Sequence, residues 1–237
     1  MILNRFGRMQ AVGIFLVFVF GVALVSAQQP DASAVIRGVD AAVHARTDHV
    51  ASYTVTEHYA VFRGKDETHA AAEMTVRTTY RRESGKSYEV LAESGSGLVR
   101  KYGLLPLLEH EKQVNLPSNR EAGFFTSANY EMQVKPGTER VDGRDCFVIA
   151  IHPKRKAPNL IEGTLWVDEK DYTIVQIAGT SSSSPSLWTN PAHVERHYMN
   201  LNGFGMATRA RAVTESFLIG RFTVTIDYQN YQIQVQP

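Results

Sequence analysis

The segment His193-Val194-Glu195-Arg196-His197 sets two imidazoles four residues apart around a carboxylate and a guanidinium. Such a group could hold a metal ion. A zinc-protease helix would need Glu directly after the first His, and Val194 stands there instead. Val194, Tyr198 and Met199 mark a strand, on which histidines four apart are separated by about 13 Å and cannot share one ion. They read as the polar face of that strand, and the other histidines are scattered. Asp168, Glu169 and Asp171 could gather a cation, but Lys170 sits among them and calcium-loop spacing is missing. A hairpin turn is expected there. Ser94-Gly95-Ser96-Gly97 only approaches the Gly-x-Ser-x-Gly nucleophile elbow and reads as a flexible turn. Residues 181–184 are serines ahead of Pro185, a polar loop. Cys146 opens Cys146-Phe147-Val148-Ile149-Ala150-Ile151, apolar on both faces, with nothing nearby in sequence to stabilise a thiolate. It reads as a small buried hydrophobe. The sequence carries no phosphate loop and no dinucleotide fingerprint. The expectation is a protein that is not an enzyme, with no cofactor and no metal.

What remains is apolar chemistry, so the elements that would position it matter. Residues 31–50 read as a helix capped by Asp31, with Ala34, Val35, Val39, Ala42, Val43 and Ala45 as its stripe. The period then changes from helical to two. Over 51–63, Tyr53, Val55, Tyr59 and Val61 point one way and Ser52, Thr54, Thr56 and His58 the other. A polar turn at 64–67 leads to 70–82, where Ala72, Met74, Val76, Thr78 and Tyr80 alternate with charged and polar residues. That is an antiparallel hairpin with one wet face, and 87–93 is a third strand. Leucines and aromatics crowd the next stretch, interrupted by Gly103 and Pro106, and Pro106 prevents one continuous regular helix. Ser118 and Glu121 have capping-box spacing, which predicts a second short helix to about residue 127. Strands resume at 129–134, 145–152, 160–167, 172–180, 191–201, 206–218 and 221–235. Turns are expected at Pro136-Gly137, Asp142-Gly143, 168–171 and Gly203. In the last strand the apolar phase flips from Phe222, Val224, Ile226 and Tyr228 to Tyr231, Ile233 and Val235. A flip without a turn predicts a bulge. No strand–helix–strand alternation appears, so one large curved antiparallel sheet with its concave face under the helices is the economical fold.

Composition fits this reading. The chain of 237 residues is 43% hydrophobic and 21% charged, enough apolar content for a core and too little for a polytopic membrane protein. Arg5 and Arg8 precede the uncharged apolar run 11–25, and Val25-Ser26-Ala27 follows with small residues. This is the layout of a secretory signal peptide. A run of 15 residues reaches about 22 Å as a helix, short of a bilayer's roughly 30 Å core. The expected organisation is a signal peptide at 1–27 and one domain at 28–237, exported and soluble after cleavage near Ala27. No cysteine lies there, so no lipid-modified N-terminus is expected. Without the leader's two arginines, 23 basic residues face 24 acidic ones, so no bulk electrostatic claim on nucleic acid or acidic membranes exists.

The segment 141–151 (Val141-Asp142-Gly143-Arg144-Asp145, then the Cys146 strand), Ile161-Glu162-Gly163-Thr164-Leu165-Trp166-Val167-Asp168 and Tyr172-Thr173-Ile174-Val175-Gln176-Ile177 form a strand, a Gly-x-Leu-Trp-Val-Asp strand, a charged turn and a Tyr-x-Ile-Val strand. This hairpin resembles the central one of the periplasmic lipoprotein-carrier superfamily of LolA, LolB and the sigma-factor regulator RseB. Gly220-Arg221-Phe222 through Tyr228-Gln229-Asn230-Tyr231 is similar to the closing strand of outer-membrane lipoprotein-sorting-like proteins. In order of elements the resemblance covers roughly 31–235. It implies a mainly β fold with a few helices, a half-open, strongly curved antiparallel β-barrel of about ten or eleven strands with a helical lid. It also implies a periplasmic binding or carrier protein whose partner is the acyl chain of a lipoprotein or lipid. The lining expected from the sheet is Tyr53, Val55, Tyr59, Met74, Val76 and Tyr80, and from the lid (98–127) Leu104, Leu105, Leu107, Leu108, Phe124 and Phe125. Tyr53, Tyr59 and Tyr80 read first as core packing with their hydroxyls at the rim, and second as an amphipathic lining. The alternative function is an envelope-stress interaction module of RseB type, with an envelope protein as partner. A monomer is expected.

Overall fold

A computed structural model describes residues 31–184, 189–216 and 220–236. The expected signal peptide lies outside the described residues. Helix α1 (Ala32–His49) starts where the sequence places it, and the Asp31 side chain accepts a hydrogen bond from the Ser33 amide at 3.0 Å. That satisfies one of the free donors of the first turn. Arg46 and His49 sit in the last turn, where carbonyl ends favour cations.

Ten strands follow: β1 (Val50–Arg63), β2 (Ala72–Arg81), β3 (Gly85–Gly95), β4 (Tyr130–Val141), β5 (Arg144–Pro153), β6 (Ile161–Asp168), β7 (Ile174–Ser181), β8 (His193–Leu201), β9 (Phe204–Ser216) and β10 (Gly220–Val235). They form one sheet in the order β3-β2-β1-β10-β9-β8-β7-β6-β5-β4, antiparallel throughout. The first strand pairs with the last, while β3 and β4 are the unpaired edges. The sheet curves strongly and does not close, giving a half-open barrel. Because β3 and β4 are consecutive in the chain, their connection must cross the open side. The lid's position thus follows from the strand order.

That connection is helical but irregular: α2 (Gly97–Val99), a π-helical turn at Arg100–Leu104 and α3 (Leu105–Val114) run on without a break. Pro106 sits in the first turn of α3, where its missing N–H costs least, and the wide turn before it absorbs the irregularity. The expected helix from Ser118 to 127 shrinks to a 3₁₀ turn at Arg120–Gly123. The capping box does not form, because the Ser118 hydroxyl donates to Asn119 Oδ1 at 3.0 Å and Asn119 is held by the Gln113 carbonyl at 3.0 Å.

Bends fall where register slips. Thr54 faces Gln232 while Thr56 faces Gln229, so β10 carries an extra residue there. Asn230 adopts φ 59° at that point, which is the bulge expected from the phase flip. Pro136-Gly137 does not end β4 as expected. It is absorbed as a bulge between Val134 and Thr138, with Gly137 at φ 77°, and the missing proline donor is tolerated on an edge strand. Gly163 and Gly179 face each other across β6 and β7. A Cβ on either would stand 2.2–2.3 Å from a carbonyl oxygen of the other strand.

Three buried clusters result among the described residues, the smallest formed by Val50, Phe204 and Met206 with Tyr53 and Tyr231 packed against it. Val35 and Val39 of α1 pack on Ile149, Ile151, Leu165 and Ile177 of β5–β7. Gly38 lets the Tyr172 ring lie on the helix, where a Cβ would come within 2.5 Å. Leu104 and Leu108 pack on Tyr59, Met74 and Val76 of β1 and β2 and on Ile226 of β10. Among the described residues, no helix is long and apolar enough to cross a membrane.

Candidate functional site

Residues of all three clusters line a cavity of about 450 Å³, within the roughly 300–1,000 Å³ of small-molecule pockets. Val43 and Arg46 of α1 form one wall, Leu107 and Glu111 of α3 the other. Phe124 and Phe125 close one side, and Tyr53, Glu57, Met206, Arg196 and Tyr228 from the concave sheet make the floor. Two ties hold the lid's far end. Ser127 donates through its amide and hydroxyl to Asp40 of α1 at 2.8 and 2.5 Å, and Arg120 donates to Tyr80 Oη at 3.0 Å and the Arg82 carbonyl at 2.7 Å.

The floor is not uniformly apolar. Tyr53 stacks on Tyr80 with ring centroids 4.9 Å apart and meets Tyr231 at 5.8 Å. Glu57, 1% exposed, accepts a hydrogen bond from the Tyr59 hydroxyl. Lys86 of β3 donates to Glu111 of α3 at 3.2 Å, their side chains 10% and 22% exposed. Burial opposes both charges. The attraction of Glu111, Tyr53 and Glu57 nevertheless holds the Lys86 ammonium well above its usual range. Lys86 and Arg196 likewise hold Glu111 below the usual carboxylate range. Burial raises the tyrosines of this floor: Tyr53, Tyr59, Tyr88, Tyr228 and Tyr231 all titrate above their ordinary value. Their hydroxyls act as neutral donors and acceptors. The Arg196 Nε and the Tyr88 and Thr78 hydroxyls are buried without a hydrogen-bond partner among the described residues. The arrangement can bury an apolar chain against one wall and satisfy a polar group at the other.

The expected lining residues divide. Tyr53, Leu107, Phe124 and Phe125 line this cavity. Tyr80 lines a smaller space beside it, shared with Tyr53 and Phe124. Tyr59, Met74, Val76, Leu104 and Leu108 pack on one another instead, and Val55 is 1% exposed. Leu105 is 44% exposed on the outside of the lid. Glu57 was within reach of sequence reasoning, because period two places it on the face of Tyr53, Val55 and Tyr59. Lys86 falls at a turn boundary and Glu111 on a polar helix stretch, and neither carries a local signal.

Elsewhere, the chemistry-bearing residues have structural partners. His193 and His197 lie on β8 as their spacing predicts, His193 against Thr180 Oγ1 at 3.0 Å and His197 between Asp142 and Glu195 at 3.0 and 2.9 Å. Asp168 accepts from the Lys170 amide and Asp171 from the Thr173 amide, each at 2.8 Å, shaping the β6–β7 turn. Cys146 is fully buried, which pushes its thiol up to about 11.

No family model matches the chain, and no curated protein matches it. Among solved structures it is similar to a LolA superfamily protein from Nitrosomonas europaea, at 13% identity and TM-score 0.43, over 87% of this chain and 94% of that one. It is also similar to a putative outer membrane lipoprotein-sorting protein domain from Vibrio parahaemolyticus, at 12% identity and TM-score 0.46, over 84% and 93%. A third is a DUF1329 family protein from Desulfovibrio piger, at 16% identity and TM-score 0.40, over 86% and 94%. The class of fold, a half-open antiparallel barrel with a helical lid, rests on the strand order itself.

Proposed function

We propose that this chain is a non-enzymatic binding or carrier protein for an acylated ligand, a lipid or lipoprotein, exported to the periplasm after cleavage near Ala27. The observation that carries the reading is the cavity of about 450 Å³ between α1, α3 and the concave sheet. Its Val43, Leu107, Phe124, Phe125 and Met206 offer an acyl chain apolar walls, and each methylene buried there gains about 0.8 kcal/mol. Several methylenes therefore suffice to draw a chain out of water. The test is native mass spectrometry of protein purified from a periplasmic extract without detergent. A co-purifying acylated mass that organic extraction removes is the expected result. A clean apo mass, unshifted by added phospholipid or lipoprotein, overturns the reading.

A second reading, a module that docks an envelope protein, is supported by exposed apolar side chains on β3 and the lid. Val90 and Leu91 on edge strand β3 are 46% and 43% exposed, and Leu98 and Tyr102 on the lid are 70% exposed. Capture of an envelope partner that Leu91→Asp abolishes would favour it.

A further inference from the structure

The cavity holds more cation than its walls neutralise. Arg46, Lys86 and Arg196 line it against Glu57 and Glu111, while Arg120 and Arg211, also on its lining, are already engaged by Tyr80 and the Arg82 carbonyl and by Glu67. Glu57 is engaged by Tyr59, and Glu111 is hydrogen-bonded to Lys86 at 3.2 Å. Arg196 lines the same cavity and, with Lys86, helps hold Glu111 below its usual range. Arg196 interacts with Tyr198 as well, yet its Nε–H is buried with no acceptor. Arg46 makes no side-chain hydrogen bond or ion pair among the described residues. Buried donors without acceptors are costly, and a ligand that supplies an oxygen there recovers that cost.

The origin of the carboxylate matters as much as its place. Glu111 is the lid's only acidic group on the cavity wall among the described residues, and it reaches Lys86 from α3 while Lys86 and Arg196 belong to the sheet. Besides Arg211, which Glu67 neutralises, the sheet therefore presents two cations, and the lid supplies a stand-in for an anion. A neutral chain fills the apolar wall and leaves Arg196 Nε unsatisfied.

We propose that the ligand is a single-chain amphiphile with an anionic head, whose oxygens take the place of Glu111 between Lys86 and Arg196 while its chain lies against Leu107, Phe124 and Phe125. This rests on the acyl-binding reading and adds the head-group class to it. Displacing Glu111 also frees α3 from β3, so loading and lid release are coupled.

Isothermal titration calorimetry of the mature, delipidated protein with laurate, dodecan-1-ol and acetate tests the inference. Laurate is expected to bind about tenfold more tightly than dodecan-1-ol, or better, because a hydrogen bond to a charged group is worth about 1.5–3 kcal/mol. Acetate should give no saturable heat at laurate concentrations. Arg196→Gln should erase the preference for the acid over the alcohol, and Glu111→Gln should tighten laurate by removing its competitor. Equal affinity for laurate and dodecan-1-ol overturns the anionic head while leaving the acyl cavity standing. Failure of both to bind overturns the acyl-binding reading itself. Acetate binding as tightly as laurate overturns the amphiphile in favour of a small-anion site. If circular dichroism shows that Arg196→Gln does not fold, the acid–alcohol comparison on the unaltered protein still decides.

Discussion

Helix α1 meets β5–β7 through Val35 and Val39, against Ile149, Ile151, Leu165 and Ile177, every one at most 3% exposed. Helix α3 meets the other part of the sheet through Leu108, with Leu104 just before it, but the next turn carries Glu111 to Lys86. The first contact is dry and filled. The second carries charges and buried tyrosines into the cavity that both helices border. Both helices lie on the same concave face, so the difference is not one of topology. It is one of side-chain choice. Aliphatic side chains filling the space give stability at close-packed density. Polar and charged groups that are only partly satisfied cost stability and leave a reason for a ligand to enter.

Substitutions can separate the two regions. The largest effect on stability is expected in the dry one: Leu165→Ala should cost about 2–5 kcal/mol, read from urea denaturation. It should leave ligand affinity alone at temperatures where the variant is folded. A change in affinity as large as that from a cavity variant would mean the two regions are not independent.

Glu111→Gln comes next, at about 2 kcal/mol, discounted from a fully buried pair because both side chains keep some solvent contact. Its pH dependence sharpens the point. Glu111 titrates below its ordinary 4.5 when folded, so its contribution is fully present above 4.5 and lost as pH falls through the lower folded value. Urea midpoints of the unaltered protein and Glu111→Gln should differ at pH 7 and converge below pH 4.5. A constant difference across that window would mean the pair does not hold the lid.

Leu107→Asp should cost about 1 kcal/mol or less, since Leu107 is only half-buried, yet lower laurate affinity by about tenfold or more through the charge placed on the apolar wall. Retained binding would move the chain elsewhere. The smallest effect belongs outside the cavity, at His197. Its burial is outweighed by Asp142 and Glu195, which raise it above 6.5. The contribution is therefore present below 6.5 and lost as pH rises through the higher folded value. His197→Gln should cost under about 1 kcal/mol at pH 6 and less at pH 9.

The secondary structure was legible because its signals are local. Period-two runs marked the first, second and last strands, apolar runs between turn residues marked others, Asp31 marked the helix start, and the phase flip at Tyr228–Tyr231 marked the bulge at Asn230. The misreadings were also local rules overruled by neighbours. Ser118 and Glu121 had the spacing of a cap, but the chain there must descend from α3 to β4 and Asn119 is tied back to Gln113. Pro136-Gly137 had the chemistry of a turn, but an edge strand tolerates it as a bulge. The lid leucines show the limit of composition. Leu104, Leu105, Leu107 and Leu108 are alike in sequence, and helical phase sends them to core, solvent, cavity and core.

The sequence by itself determined the type of most elements, most of the turns, the absence of a strand–helix–strand pattern and the faces of the alternating strands. These depend on neighbours a few residues away, and alternation and capping record them directly. Only the tertiary structure decided that β1 lies beside β10, that the β3–β4 connection crosses the open side, and that Lys86, Glu111 and Arg196 meet around one cavity. Those residues come from a strand, a helix and a strand on different parts of the sheet. Charges held near one another by strand order leave no periodic trace in the chain, because nothing local in any of the three segments depends on the other two.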